Sequence, residues 1–124
     1  MKYDESFEPP APIAKIAARN IETGERARDI SVLLDTGSDV SLLPKSVLGS
    51  LGISPLPNES YRLEGFDGSQ TSAEVFYLQV VFLGNRFTGK YCVIDDEIGI
   101  LGRDVLNEFA ILFDGKNLEW KAQE

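Results

Sequence analysis

Val32-Leu33-Leu34-Asp35-Thr36-Gly37-Ser38-Asp39-Val40-Ser41-Leu42-Leu43-Pro44 is an apolar, strand-like run that leads directly into a carboxylate, a hydroxyl and a glycine, then turns apolar again. A buried carboxylate is costly unless it is paired or hydrogen-bonded, so a core strand seldom ends in one without a reason. Thr36 stands beside Asp35 to orient it, and Gly37 lets a partner backbone come close. Taken alone, Asp35-Thr36-Gly37 reads more readily as a strand-to-turn cap, because all three residue types favour turns. The motif occurs once in 124 residues. Chemistry that needs two such carboxylates therefore needs a second copy of the chain.

Working outward, Ile13 to Asn20 and Arg26 to Leu34 are strand-compatible and flank the turn Glu22-Thr23-Gly24-Glu25, a hairpin that feeds Asp35. Pro44 to Leu51 reads as a short helix, with Pro44 suited to its first turn and Gly52 to its end. Tyr61 to Glu64 and Ser72 to Leu83 flank Gly65-Phe66-Asp67-Gly68-Ser69, a hairpin with a glycine-bracketed tip. Phe76, Leu78, Val80 and Phe82 alternate and read as core. Gly84-Asn85 turns the chain into Arg86–Ile94. Ile98 to Gly102 is a short apolar segment, and Arg103 to Phe109 reads as a helix of about two turns. Ile111-Leu112-Phe113 and Leu118-Glu119-Trp120 close on the turn Asp114-Gly115-Lys116-Asn117. Many short strands, two short helices and no βαβ rhythm predict a mainly antiparallel β domain over residues 13–124. Residues 1–12, with Pro9, Pro10 and Pro12, read as a flexible arm. An apolar strand, a glycine-containing turn and a short helix occur twice, at Val32…Leu51 and Ile98…Phe109, which would set Asp35 and Gly102 on neighbouring loops.

The length suits one domain with a modest core. Twelve basic against 20 acidic residues give a net charge of −8, which disfavours nucleic acid and anionic membrane surfaces as partners. The N-terminus carries no apolar segment of the signal-peptide kind, and a lone cysteine, Cys92, fits a reducing compartment; a cytosolic location is the expectation. Cys92 lies in a strand-like context and reads as a small core residue. The chain has no histidine. Ser-His-Asp and Cys-His catalysis and a His-based zinc site are therefore excluded within one chain. Hydrolysis would have to run on carboxylates, hydroxyls or amines.

Leu33-Leu34-Asp35-Thr36-Gly37-Ser38 resembles the active-site loop of the aspartic proteases. Ile100-Leu101-Gly102-Arg103-Asp104-Val105-Leu106 is similar to the second signature of their single-domain, retroviral-type branch, the retropepsins. The glycine-tipped hairpin lies between the two, where that family has its flap. The resemblance covers about residues 13 to 120. It implies a retropepsin-like closed β-barrel or sandwich with two short helices, active as a homodimer on peptide substrates, without metal or cofactor. Asp35 from each subunit would form the catalytic pair, one carboxylate activating water and the other carrying a proton. Thr36 would bond across the twofold axis, and Gly37 would leave room for substrate backbone. Leu33, Val40, Leu42, Ile98 and Ile100 would line substrate pockets. Gly65, Phe66, Asp67 and Gly68 would form the flap tip, and Asp39 with Arg103 an ion-paired brace. Ser38 would donate to the Asp35 carboxylate, stabilise its charged form and favour work in acid.

Two rivals belong to other classes. One is a retropepsin-fold dimerisation or peptide-binding module without useful activity. The other is an unrelated β-barrel carrying the tripeptide by chance.

Overall fold

The computed structural model describes residues 1–65 and 67–123. Nine strands and two short helices follow one another as β1 (Ile13–Arg19), β2 (Arg26–Leu34), β3 (Leu42–Pro44), α1 (Lys45–Ser50), β4 (Ser60–Glu64), β5 (Gln70–Phe82), β6 (Asn85–Ile94), β7 (Gly99–Leu101), α2 (Arg103–Leu106), β8 (Ala110–Asp114) and β9 (Glu119–Gln123). The main sheet runs β1-β2-β7-β3-β6-β5-β4, and β1 also pairs with β5. That extra pairing closes six strands into a barrel and leaves β4 outside the ring. A bulge between Ile16 and Ala18 makes it possible: it bends β1 so that its second half reaches Val80 and Val81.

The barrel is filled from alternating positions. Ile16 and Ala18 of β1, Ile30, Val32 and Leu34 of β2, and Phe76, Leu78, Val80 and Phe82 of β5 all face inward with Leu43, Leu48, Leu101 and Val105. Phe82 stacks on Trp120 and meets Phe109 edge-on, so the last strand is bolted to the barrel by aromatic contacts. A smaller apolar cluster of Leu42, Val75 and Cys92 lies to one side, with Val40, Tyr61, Leu63 and Ile100 packed against it. Cys92 is a buried free thiol, as its strand-like context predicts.

Strands β2, β5, β6 and β8 and helix α1 fall within a residue or two of the sequence reading, and β9 runs three residues further, to Gln123. Three features differ. The strand β3 has only three residues, too few to show a period; it pairs parallel with β6 along its whole length and antiparallel with β7 through Leu42. Helix α2 has four residues rather than two turns, because the chain leaves it at Asn107 to deliver Phe109 to the aromatic cluster. The first residues of the segment 1–12, expected as a flexible arm, add to the edge of β9. The Met1 ammonium donates to the Trp120 carbonyl at 2.7 Å, the Trp120 amide to the Met1 carbonyl at 2.8 Å, and the Tyr3 amide to the Leu118 carbonyl at 2.8 Å. The free edge of β9 supplies backbone groups that need partners, and the first residues satisfy them. Among the described residues no helix is long and apolar enough to cross a membrane.

Candidate active site

The carboxylate of Asp35 is placed by β2 and β7. These strands pair in parallel, Val32 with Gly99, Leu33 with Ile100 and Leu34 with Leu101, and the Asp35 amide donates to the Leu101 carbonyl at 3.0 Å. The chain then turns: the Ser38 amide reaches the Asp35 carbonyl at 3.2 Å, and the Gly37 amide donates to Asp35 Oδ1 at 2.9 Å. A side chain that accepts from the backbone two residues on is a compact way to fix its own orientation. Oδ2 of Asp35 has no partner among the described residues. Gly37 leaves little space here, since a Cβ at that position would lie 3.1 Å from Asp35 Oδ1. Thr36 beside it is exposed.

A second layer holds this loop against Gly102 and α2. The Arg103 amide donates to the Ser38 carbonyl at 2.8 Å, and Arg103 Nη1 to the Thr36 carbonyl at 2.6 Å. Ser41 is fully buried. Its hydroxyl donates to Asp104 Oδ1 at 2.6 Å and accepts from the Gly102 amide at 3.0 Å, and its amide donates to Asp104 Oδ2 at 3.0 Å. A Cβ on Gly102 would stand 2.5 Å from the Val40 carbonyl oxygen, so only glycine lets the two loops touch. The loops of Asp35 and Gly102 are thus neighbours, as the repeated strand-turn-helix pattern predicts.

Two sequence expectations need correction. Arg103 does not pair with Asp39: the only ion pair among the described residues joins Lys90 to Glu59. Arg103, exposed at the start of α2, points its guanidinium at the near end of the loop and takes the Thr36 carbonyl. Asp39 is engaged from the opposite side, where Tyr61 Oη donates to its Oδ2 at 3.0 Å. The Ser38 hydroxyl donates to the Val40 carbonyl at 2.6 Å. A hydroxyl has one proton to give, so it is not a donor to Asp35, and the acid-side effect expected of Ser38 does not follow. The positions that the sequence reading misses are Tyr61, which carries no local signal, and the pair Ser41 and Asp104. The signal for that pair was the acidic residue in the first turn of the second signature helix together with a lone serine in an apolar run.

A cavity of about 600 Å³ opens between this loop and β4. Asp35, Gly37, Ser38, Asp39, Val40 and Leu42 line one side; Tyr61 to Gly65 line the other. Of the predicted pocket residues, Val40 and Leu42 are on its wall. Leu33, Ile98 and Ile100 are half-buried and are not on its wall, though Ile100 packs in the same apolar cluster as Val40 and Leu42. The hairpin arm β4 pairs with β5 from Ser60–Glu74 to Glu64–Gln70. At its tip the Gly65 amide donates to the Ser69 carbonyl, Gly68 adopts φ +82°, and the Ser69 amide donates to Asp67 Oδ1 at 2.9 Å. The Ser69 hydroxyl and amide hold the Asp67 carboxyl below its ordinary value. Phe66, the fourth predicted tip residue, lies outside the described residues.

The arrangement offers a carboxylate with one oriented and one free oxygen, at the floor of an open, partly apolar cleft with a hairpin arm as its opposite wall. That suits an extended peptide lying against the strand and hairpin backbones. A family model described as aspartyl protease matches residues 20–105. Among solved structures, EIAV protease complexed with the inhibitor HBY-793 shares the fold, with a TM-score of 0.55 and 22% identity over 79% of this chain and 86% of that one. No curated protein sequence matches the chain.

Proposed function

The chain belongs to the aspartyl protease family and has the retropepsin fold, and from that premise we propose that it is an endopeptidase working as a homodimer with one Asp35 from each subunit at a shared site. The observation that carries the reading is the setting of Asp35. Its carboxylate is steered by the Gly37 amide, has a free oxygen, and faces a cleft large enough for peptide side chains. One such carboxylate per chain cannot act at once as base and acid. Two at contact distance can, because like charges so close share a proton.

In the proposed reaction the ionised Asp35 takes a proton from a water molecule while the protonated Asp35 of the second copy gives one to the scissile carbonyl oxygen. The water oxygen bonds to the carbonyl carbon. Proton transfer to the amide nitrogen then lets the C–N bond break, leaving a carboxylic acid and an amine. Val40, Leu42, Leu63 and the ring of Tyr61 would hold apolar substrate side chains, and the hairpin tip would close over the peptide and exclude water. Asp39 and Arg103 remain loop-holding residues in this reading, through separate partners. The exposed Thr36 supports a dimer, since its side chain is available to a second copy. So does the exposure of Leu112 and Phe113 on β8, which among the described residues pairs on one edge only. A reducing setting such as the cytosol is proposed from the free thiol of Cys92.

The test is a cleavage profile on a proteome-derived peptide library from acid to neutral pH, with Asp35→Asn as the control. Loss of every cleavage product in a folded Asp35→Asn protein is the expected result. Wild-type turnover in that variant would remove Asp35 from the mechanism.

A further inference from the structure

We propose that Tyr61 is a positioning residue of this peptidase, its phenol tying the hairpin arm to the loop that carries Asp35 and so fixing the width of the peptide cleft. The inference rests on the reading of the cleft as a peptide site. Strand β4 lies outside the barrel ring and pairs with β5 alone. Its inward residues, Tyr61 and Leu63, pack against the cluster of Leu42, Val75 and Cys92. From there the Tyr61 hydroxyl reaches Asp39 Oδ2 at 3.0 Å. Among the described residues this is the one side-chain hydrogen bond between β4 and the loop of residues 35–41. Both partners line the cavity, so the bond spans the cleft from one wall to the other.

The acceptor is a carboxylate, so the bond of the phenol to it is charge-assisted, although at 3.0 Å it is longer than most O–H···O bonds. The same bond, followed by burial of the ring, holds the Tyr61 phenol protonated above its ordinary value of 10.0. One carboxylate oxygen is used; Oδ1 of Asp39 has no partner among the described residues and stays available to a peptide N–H lying along that wall. Removing only the hydroxyl keeps the β4–β5 ladder and the ring packing. What is lost is the fixed spacing between arm and loop, so the effect belongs to substrate binding and alignment more than to folding.

Tyr61→Phe tests this directly. We expect kcat/KM on a cleaved peptide to fall roughly five- to tenfold, mostly through KM, the scale of a partly solvated charge-assisted hydrogen bond. The thermal unfolding midpoint should stay put. Asp39→Asn keeps an acceptor oxygen without the charge; it should cost less, and little more when added to Tyr61→Phe. Two readouts do not need activity. Amide hydrogen exchange in residues 60–65 should quicken in Tyr61→Phe, and the Tyr61 ring, followed by NMR, should titrate at lower pH in Asp39→Asn. Unchanged exchange together with an unchanged Tyr61 titration overturns the tie, whether or not peptides are cut. A wild type that cuts no peptide while exchange and titration respond as expected supports the tie and overturns the peptidase reading instead.

Discussion

Ser41 has no exposed surface, and its hydroxyl serves two partners at once, giving its proton to Asp104 and taking the Gly102 amide. With the Ser41 amide on the second oxygen of Asp104, three hydrogen bonds join the candidate catalytic loop to Gly102 and the first turn of α2. Asp104→Ala would leave a buried hydroxyl and a buried amide without an acceptor. The expected cost is on the order of 1–3 kcal/mol for each group so stranded, partly recovered if water enters from the exposed side of Asp104. Chemical denaturation should show the loss, and kcat/KM should fall with it because the loop is no longer pinned. A variant as stable as the parent would mean that the loop is held by its backbone contacts alone. Asp35 itself is steered locally, by an amide two residues away, so its orientation was implicit in Asp35-Thr36-Gly37. The bonds that fix Ser41, Arg103 and Tyr61 cross between segments 22 to 67 residues apart in the chain. No local pattern announces contacts of that kind, and the Asp39–Arg103 brace implied by the resemblance gives way to a bond from Arg103 to the Thr36 carbonyl.

Elements with a clear period were legible: the nine residues of β2 and the inward stripe Phe76, Leu78, Val80, Phe82 read directly as strands with a buried face. The three-residue β3 has no period to read and strand pairing alone defines it, while the sequence marks a helix at α2 but not its four-residue length. Between them lies the tightest packing of the site. Strand β7 is wedged between β2 and β3, and a Cβ on Gly99 would stand 2.5 Å from the Leu42 carbonyl oxygen; on Gly102 it would meet the carbonyls of Val40 and Ser38. Those neighbours are backbone and cannot swing away. Gly102→Ala should therefore push the loop of Asp35 off α2, at a cost of roughly 1–3 kcal/mol in stability and a larger proportional loss of activity. Gly115→Ala, where a Cβ would meet nothing within 4 Å, is the matched control in thermal unfolding. Equal behaviour of the two variants would show that the loops can separate freely.

On the scale of the whole molecule, a closed barrel holds the candidate site at one end and leaves an unfinished sheet beside it. The first residues, β9 and β8 form a short ribbon whose outer strand, β8, has an edge without a partner among the described residues and exposes Leu112 at 44% and Phe113 at 37%. Unpaired edges with apolar side chains invite another chain, and a twofold contact would bring the same edge from each copy. Leu112→Lys with Phe113→Lys should shift the protein to monomer in analytical ultracentrifugation and abolish cleavage together, while circular dichroism stays that of a β protein. A monomer that still cleaves would contradict a shared site. The central claim, one Asp35 from each of two chains, is tested most directly by subunit mixing. Wild type equilibrated with excess Asp35→Asn protein should lose activity per wild-type chain in proportion to the wild-type fraction, as mixed dimers with a single Asp35 replace active ones. Activity per wild-type chain that stays constant after proven subunit exchange would contradict it.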